Sequence, residues 1–389
     1  MASNPELEDI PVGQRKPALK LPAGQGLTCV PWASLAEEVG AWDSLASAAS
    51  EPNPFFESWY LLPSLHAFDQ QGTVSILRFE QDGELRGILP IVRQWRYYDY
   101  PLPNISSWLH ANCFLGTPLI AQGAEVPFWQ SMLSWADDQP GAALFLHMRE
   151  ISLAGPVYAA LQGVLAGSPR QAEIVHYEER AMLSSDLAPD AYLETSLSSK
   201  KRKELRRQMK RLSDEGEVTV ERLTDTGGLS SWTDQFLALE ASGWKGRAGS
   251  ALAAENGTES LFRSSLQGAA NRGKLERLSL LLNGQPIVML ATFLTPPGAF
   301  SYKTAFNEHF SRFSPGVLLQ RENLAMLNRE DVCWTDSCAS ADHPMIDHIW
   351  RERRALGRIS IAIGGTLRRS AFRQIVRREV GKTSGVAAA

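Results

Sequence analysis

The strongest chemical signal in the chain is a run of basic residues from Lys200 to Arg211. Eight of these twelve residues are Lys or Arg and one is acidic, so the run carries +7. Because the whole chain carries −4, the other 377 residues together carry −11. An acidic protein with one strongly basic segment is expected to bind an anion there. The residues assigned to this binding are Lys200, Lys201, Arg202 and Arg206. A solvated helix face that binds nothing is the open alternative.

A second candidate anion site is the segment Ser314-Pro315-Gly316, which opens directly into a helical pattern through Val317 and Leu318. Free N–H groups at the start of a helix bind phosphate through unpaired donors and the helix dipole. Proline suits the first turn of a helix, and glycine lets a ligand approach the backbone closely. An ordinary helix cap is the open alternative.

The basic run is itself patterned as a helix. Leu205, Met209 and Leu212 recur at helical spacing on one stripe, and Ser198 and Ser199 before them are favourable N-caps. Gly216 is expected to end this helix, and the alternating residues EVTVERL that follow predict a strand.

The order of predicted elements occurs twice, about 200 residues apart. Each copy has a helix, two β-rich runs joined by Asp82-Gly83 or Asn283-Gly284, an irregular stretch, a second helix and a strand. This predicts an α+β fold made of two tandem units, each with a mixed, mostly antiparallel sheet flanked by helices. The predicted divisions are a disordered leader (1–26), a first unit (27–175), a second unit (176–365) and a basic, helical tail (366–389).

Composition excludes several classes of protein. The chain is 44% hydrophobic and 21% charged, as an ordinary globular protein is, and it has no run of 18 apolar residues. The N-terminus has no apolar signal region, so we expect a cytoplasmic protein, with the basic tail as a candidate contact to an anionic inner membrane. The four cysteines lack metal spacing and predict reduced, buried thiols and no metal site. Motifs of serine hydrolases, zinc proteases, P-loop enzymes and DNA-binding proteins are also missing.

The second half resembles the CelD-like branch of the GNAT acyltransferase superfamily, which is related to the FemABX peptidyltransferases. The resemblance covers about Leu183 to Ile363 and follows the family order of motifs, whereas the first half matches only in outline. The matching pieces are SSKKRKELRRQMKRLSDEG, LALEASGWKGRAGSAL, NGQPIVMLATF, SYKTAFNEHFSRFSPGVLLQREN and VCWTDSC. The resemblance implies two GNAT-like units. The first is expected to be degenerate, because it has Glu125-Val126-Pro127 where the second has Ser-Pro-Gly.

The resemblance also implies roles for particular residues. It assigns the pyrophosphate of an acyl-CoA donor to Ser314, Pro315, Gly316, Val317 and Leu318. The preceding strand is expected to diverge from its neighbour, so that its amides polarise the thioester carbonyl. Tyr302 and Glu308 on that strand are candidate catalytic residues, with Glu308 as a general base or a solvent-facing acid.

Glu240 and Lys245 complete the candidate catalytic set, and Trp244 is assigned to substrate binding. If Glu240 and Trp244 share one helix face, the indole desolvates the carboxylate and raises its pKa toward that of a general base. A salt bridge at the end of a helix is the alternative. Asp336 and His343 are weaker candidates.

Three functions follow from these assignments. The first is an N-acyltransferase, with acetyl-CoA as the expected donor, that modifies an amino group on a sugar or lipid-linked intermediate of a bacterial exopolysaccharide or holdfast-type pathway. The second is a FemABX-like transferase that uses aminoacyl-tRNA. The third is a non-catalytic effector that binds a cyclic dinucleotide through the tail arginines together with Arg351, Arg353, Arg354 and Arg358.

Overall fold

The computed structural model describes residues 25–341 and 343–386. The first half contains β1 (Gln25–Pro31), α1 (Trp32–Leu35), α2 (Val39–Ser47), α3 (Ser58–Phe68), β2 (Ser75–Gln81), β3 (Glu84–Gln94), β4 (Asn104–Ser107), β5 (Leu119–Ile120), α4 (Glu125–Asp138), β6 (Phe145–Ser152), α5 (Pro156–Ala166) and β7 (Ala172–Leu183). Most of the predicted leader lies outside the described residues, and its last two positions, Gln25 and Gly26, belong to β1.

The second half contains α6 (Pro189–Ser196), α7 (Ser199–Ser213), β8 (Val218–Leu223), α8 (Leu229–Ser242), α9 (Trp244–Arg247), α10 (Asn256–Ala270), β9 (Leu275–Leu282), β10 (Gln285–Thr295), β11 (Gly298–Phe306), α11 (Pro315–Asn323), β12 (Trp334–Asp336), β13 (Glu352–Ala362) and α12 (Thr366–Val386). The basic run therefore forms the predicted helix, α7. It begins after Ser198, whose hydroxyl accepts from the Lys201 amide, and the predicted strand β8 follows it.

Both predicted hairpins form. Asp82-Gly83 joins β2 to β3 and Asn283-Gly284 joins β9 to β10, and all four residues have positive φ. Two consecutive residues of positive φ are the requirement of the tight turn that fits the twist of a hairpin, which is why Asp-Gly and Asn-Gly are favoured there. Because few residue pairs adopt positive φ at both positions, Asp-Gly and Asn-Gly are specific signals for this turn.

The described strands form one large, mostly antiparallel sheet with helices against it. Its order is β1-β2-β3-β4-β6-β13-β7-β12-β11-β10-β9-β8, and β5 pairs with β3. The order is symmetric about the central β13–β7 pair. On each side, four strands are antiparallel to one another, β1 to β4 on one side and β8 to β11 on the other. The last of each four then pairs in parallel with the next strand, β4 with β6 and β11 with β12. The predicted duplication is thereby confirmed.

The two units exchange their last strands. β7 follows the first unit in the chain but pairs with β12 of the second, and β13 follows the second unit but pairs with β6 of the first. β7 and β13 also pair with each other over most of their length. The predicted division between residues 175 and 176 therefore falls inside β7. The sequence analysis did not predict this strand, and the boundary is a point in a continuous sheet and not a linker.

A shared core joins the two units. The equivalent helices α3 and α10 pack against each other, and a Cβ at Gly268 would lie only 2.9 Å from the Cβ of Trp59. Trp59 and Tyr302 both contact the ring of Phe293, with centroids 4.8 and 4.5 Å away. Burial of these large aromatic side chains is a major source of stability.

The predicted basic tail is a helix, α12, docked on the first unit. Phe372 and Val376 are buried with Tyr97 and Phe145, and the Tyr97 hydroxyl donates to the Glu379 carboxylate at 2.6 Å. The tail's apolar stripe thus contacts protein. Within the described part of the chain, no helix combines the length and apolar character needed to span a bilayer.

The expectation of four buried thiols is wrong for two of them. Cys113 and Cys338 are buried, whereas Cys29 and Cys333 are exposed, and all four are free. The last strand of the second copy, in the motif VCWTDSC, is short, since β12 spans only Trp334–Asp336 and Cys338 has φ of 51°. The early end of β12 shapes the site described next.

Candidate active site

A cleft opens where β11 and β12 diverge. The two strands pair in parallel from Gly298↔Trp334 to Phe300↔Asp336, after which β12 ends and β11 continues to Phe306. The diverging segments 301–306 and 337–340 form two walls of a cleft of about 270 Å³. β10 covers the other edge of β11, so the edge that faces the cleft has no strand partner over these residues. The divergence expected for this strand is confirmed.

A β-bulge lies at the start of the divergence. Ala291 pairs with Lys303, and the next residue, Thr292, pairs with Ser301, so Tyr302 is the additional residue of β11. A bulge bends its strand and redirects the neighbouring groups. Backbone amides at such an unpaired edge can donate to the oxygen of a bound carbonyl group.

Tyr302 is a core residue that reaches the cleft. Its ring stacks on Phe293, and its hydroxyl lies 3.2 Å from the hydroxyl of Tyr60, in the first unit. Burial raises the pKa of Tyr302 above its ordinary value, so the phenol stays neutral. Its position gives it a role in joining the units beneath the cleft.

Glu240 and Lys245 form an ion pair at the edge of the cleft. Lys245 Nζ donates to Glu240 Oε1 at 2.6 Å, and the amide of Leu252 donates to Oε2 at 2.8 Å. Only 3% of the Glu240 side chain is exposed. Both oxygens are therefore used to hold the chain after α8. The structure matches the salt-bridge alternative.

The predicted shared helix face of Glu240 and Trp244 is wrong. Gly243 has extended backbone geometry and ends α8, and Trp244 begins the separate short helix α9. The indole is 54% exposed at the rim of the cleft and does not shield the carboxylate. Trp244 remains available to contact a substrate.

Glu308 holds the same rim from the other side. It is not on the strand, as predicted, but in a 3₁₀ turn, Glu308–Phe313, that follows β11. Its oxygens accept from the Trp244 amide and from Arg247 Nη2, each at 2.6 Å. The bond from Arg247, followed by that from the amide, lowers the pKa of Glu308. A carboxylate with a lowered pKa and two hydrogen-bond donors is a weak base. The geometry therefore favours a role for Glu308 in holding α9 in place over a role as general base.

The predicted donor loop is placed at the start of α11. Ser314 is the N-cap, and its carbonyl accepts from the amides of Val317 and Leu318. Pro315 has no N–H, and among the described residues the amide of Gly316 has no backbone acceptor. Gly316 is buried under Met345, whose Sδ would lie 2.2 Å from a Cβ at this position. A side chain thus covers this helix start, while the neighbouring cleft, which Met345 also lines, is open.

The basic helix α7 lies beside this loop. Gln208 Nε2 donates to Ser314 Oγ at 3.2 Å. Leu205 and Leu212 are buried, whereas Lys200, Lys201 and Arg206 are exposed. Arg202 donates to the carbonyls of α6 and the residue after it. The exposed cations are therefore free to face an anion.

The equivalent divergence in the first unit is filled by protein. Beyond the parallel pair of β4 and β6, residues 108–117 occupy the opening. The amide of Gly116 donates to the Glu150 carbonyl at 2.8 Å, and that of Ser152 to Thr117 Oγ1 at 3.0 Å. A Cβ at Gly116 would lie 2.0 Å from the carbonyl oxygen of Arg149, so no space remains.

That filling segment also contributes to the second unit's cleft. Phe114 lines the cleft, and Asn112 Oδ1 accepts from Lys303 Nζ at 2.7 Å. Sequence analysis gave these first-unit residues no role, because no local motif marks them. Lys303 and His343 also line the cleft. Burial, and then Lys245, lower the pKa of His343, so its imidazole is neutral near pH 7, and its Nδ1 has no hydrogen-bond partner.

Asp336 has a structural position. It is buried and accepts from Arg180 at 2.6 Å and Arg354 at 3.0 Å. Burial opposes its ionisation, but the two guanidinium groups outweigh burial and lower the pKa of Asp336. These residues lie on β12, β7 and β13, so the cluster joins the centre of the sheet.

Comparisons with known proteins concern the region that contains this cleft. Residues 199–343 match the family model described as acetyltransferase (GNAT) domain. This range includes α7, α8, the diverging β11 and β12, and α11. The matched range covers 145 of the 389 residues, so the chain is similar to GNAT-type acetyltransferases over this part of its second half. No curated protein matches the chain.

Solved structures share the fold of the whole chain. FemX is 12% identical, with a TM-score of 0.52 over 84% of this chain and 96% of its own. The C-terminal domain of a protein named as a lysylphosphatidylglycerol synthetase from Agrobacterium fabrum is 11% identical, with a TM-score of 0.50 over 88% and 96%. A protein of unknown function from Bacteroides thetaiotaomicron is 10% identical, with a TM-score of 0.51 over 83% and 97%. At these identities the likeness concerns the fold. The CelD-like branch stays a prediction.

Proposed function

We propose that the protein is an N-acyltransferase that uses an acyl-CoA, with acetyl-CoA as the first candidate, to modify an amino group on a sugar or lipid-linked intermediate. The open divergence of β11 and β12 carries this proposal. It offers unpaired backbone donors for a thioester carbonyl within a cleft that two GNAT-like units enclose. A bacterial exopolysaccharide or holdfast-type pathway is the proposed setting, on the resemblance of the motifs alone.

The donor's phosphates would bind at the start of α11. The free amide of Gly316, the helix dipole and the exposed cations of α7 all favour negative charge there. Met345 must turn aside for a phosphate to reach Gly316, and a methionine side chain does so at low cost because it is flexible. The same charges supply the proposed contact to the diphosphate of a lipid-linked acceptor.

Each chain would carry one donor site. The second unit has an open divergence and a helix start, whereas the first has its divergence filled by residues 108–117. The first unit would instead serve acceptor binding, because Asn112 and Phe114 reach the cleft from that side.

The decisive experiment is binding of acyl-CoA to the full chain. Thermal shifts would be measured with acetyl-CoA, longer acyl-CoAs and free CoA, followed by calorimetric titration of the best ligand. We expect stabilisation that rises with ligand concentration and a stoichiometry near one per chain. No stabilisation by any of these ligands would overturn the proposal. Mass spectrometry of surface polysaccharide from a deletion strain would then identify the acceptor.

A FemX-like aminoacyl transferase is the second candidate. The exposed cations of α7 beside the cleft favour it, since a basic helix also suits the phosphates of tRNA. Salt-sensitive binding of aminoacyl-tRNA together with no response to acyl-CoA would select this function.

A cyclic-dinucleotide effector receives less support from the geometry. Arg354 is buried against Asp336, Arg358 donates to Glu150 and Tyr98, and Arg353 donates to backbone carbonyls. These guanidinium groups are held in separate intramolecular contacts and do not form a preassembled cluster.

A further inference from the structure

We propose that the side-chain amine of Lys303 accepts the proton of the attacking amine during acyl transfer. This role rests on the proposed N-acyltransferase function and adds to it a specific proton acceptor, positioned by the first unit.

The position of Lys303 supports this role. It follows the bulge residue Tyr302 on the diverging strand and lines the cleft. Its Nζ donates to Asn112 Oδ1 at 2.7 Å and lies 4.9 Å from the ring centroid of Phe114. Among the described residues no carboxylate lies within ion-pair distance of Nζ. An amide oxygen and an aromatic face orient the amine without neutralising its charge.

The surroundings favour the neutral amine. Burial, and then the nearby charge of Lys245, lower the pKa of Lys303 to about 8, although Glu240 and Cys338 act in the opposite direction. From the first unit His110 also faces Lys303, and burial lowers the pKa of His110 to about 3, so His110 adds no positive charge. Roughly a tenth of Lys303 is then neutral at pH 7, far more than of an ordinary lysine.

The other candidate groups are occupied. Glu240 and Glu308 each accept two hydrogen bonds, and the hydroxyl of Tyr302 is held against Tyr60. His343 has a free nitrogen and is the rival acceptor. The two differ in their pH dependence. If His343 is the proton acceptor, the enzyme should lose activity only when the pH falls below the lowered pKa of His343. If Lys303 is the acceptor, activity should fall as the pH falls through about 8.

The step balances as follows. The acceptor nitrogen bonds to the thioester carbonyl carbon while neutral Lys303 takes one proton from that nitrogen. The tetrahedral intermediate collapses, the carbon–sulfur bond breaks with its electron pair on sulfur, and the Lys303 ammonium returns the proton to the CoA thiolate. The products are an amide and a free thiol, with Lys303 neutral again.

The test uses the pH dependence of kcat/KM with an acyl-CoA and an amine acceptor. In the wild type we expect activity to rise with pH up to about 8. Asn112→Asp places a carboxylate beside the ammonium and should move this rise upward by about 1 pH unit or more, whereas Asn112→Ala should move it less. Lys303→Arg should lower kcat by about 100-fold or more with little change in KM for the donor, because arginine does not release its proton.

A measurement independent of activity accompanies this test. Competitive labelling of lysines with acetic anhydride across a pH series, read by mass spectrometry, should show Lys303 titrating near pH 8 in the wild type and higher in Asn112→Asp, with exposed Lys200 as the reference lysine. If acyl-CoA binds but Lys303 labels like Lys200, or if Lys303→Arg keeps its activity, the proposal fails. It also fails if His343→Gln, rather than the Lys303 variants, removes the pH dependence. If no acyl-CoA stabilises the protein, the proposed function fails first and this role falls with it.

Discussion

At the scale of single residues, Glu240 holds the wall of the cleft in place. Its buried carboxylate joins Lys245 to the amide of Leu252, so it ties α9 and the turn after it to the end of α8. The geometry assigns it to positioning the rim that carries Trp244. Removal of the Glu240 carboxylate should therefore mainly lower the stability of the folded protein.

We expect Glu240→Ala to lower the free energy of unfolding by about 2–4 kcal/mol, because a buried amide and a partly buried ammonium lose their acceptor. The matched control is Glu308→Ala. It breaks an ion pair with Arg247 on the same rim, but in a more exposed place, and should destabilise the protein less than Glu240→Ala does. Urea unfolding of both variants measures the difference. Equal costs would contradict the assignment.

The sequence predicted which residues lie together at the cleft more accurately than it predicted their roles. Glu240, Trp244 and Glu308 do come together at one rim, but the expected desolvation of Glu240 by Trp244 fails because Gly243 separates their helices. No local sequence motif marked Lys303 as a functional residue. Its properties depend on Asn112, which is 191 positions away in the chain, and such a contact leaves no local pattern.

At the scale of elements, the start of α11 is covered by a movable side chain. Met345 lies in the segment after β12 and contacts Gly316, where the donor's phosphates would bind. If a donor binds here as proposed, uncovering this turn costs free energy before binding.

Met345→Ala should tighten CoA binding about fivefold, since displacing the side chain costs about 1 kcal/mol. Gly316→Ala should weaken binding, because the added methyl group fills the space that a phosphate needs. Calorimetric titration with CoA compares both variants with the wild type. If Met345→Ala leaves the affinity unchanged, Met345 does not guard the site.

Elements with strong local signals were predicted well. Helix α7 follows its apolar stripe and its serine cap, and the two hairpins follow Asp-Gly and Asn-Gly. Strand β12 covers only three residues of its motif VCWTDSC. It ends early because Asp336 turns inward to two arginines and Cys338 adopts a left-handed conformation.

At the scale of the whole molecule, the buried cluster of Arg180, Asp336 and Arg354 joins the three central strands. Arg180 lies on β7, Asp336 on β12 and Arg354 on β13. Arg354 also lies over the ring of Trp334, 4.6 Å from its centroid. The carboxylate thus holds together strands from the middle and from the C-terminal part of the chain.

We expect Asp336→Asn to destabilise the protein by about 3–5 kcal/mol at pH 7, because two buried guanidinium groups lose their counter-charge. The control is Asp331→Asn, which removes a more exposed partner of Arg329 and should cost about 1 kcal/mol or less. Thermal or urea unfolding at pH 7 gives both values. A small effect of Asp336→Asn would show that the strands are held by packing alone.

The same cluster sets a pH dependence. The pKa of Asp336 is lowered in the folded protein from its ordinary value of 3.8. Its contribution to stability is therefore complete above that ordinary value and is lost as the pH falls through the lowered, folded-state pKa. The stability gap between wild type and Asp336→Asn should be constant from pH 7 to about 5 and narrow below about 4.

The duplication was visible in the sequence, because it repeats local patterns that each copy carries. The exchange of last strands was not, because the sequence analysis predicted neither β7 nor β13, and their partners β12 and β6 lie far away in the chain. Choosing between the two partners requires contacts such as the pair of Arg180 with Asp336, which link distant parts of the chain.

The exchange has a consequence for how such a molecule arose. An ancestral single unit with the same fold would reach this arrangement by forming a homodimer in which each subunit lends its C-terminal strand to the other. Fusing the two genes end to end would preserve that architecture in one polypeptide. Once fused, one copy was free to close its opening and specialise, while the other kept the opening where a donor can enter.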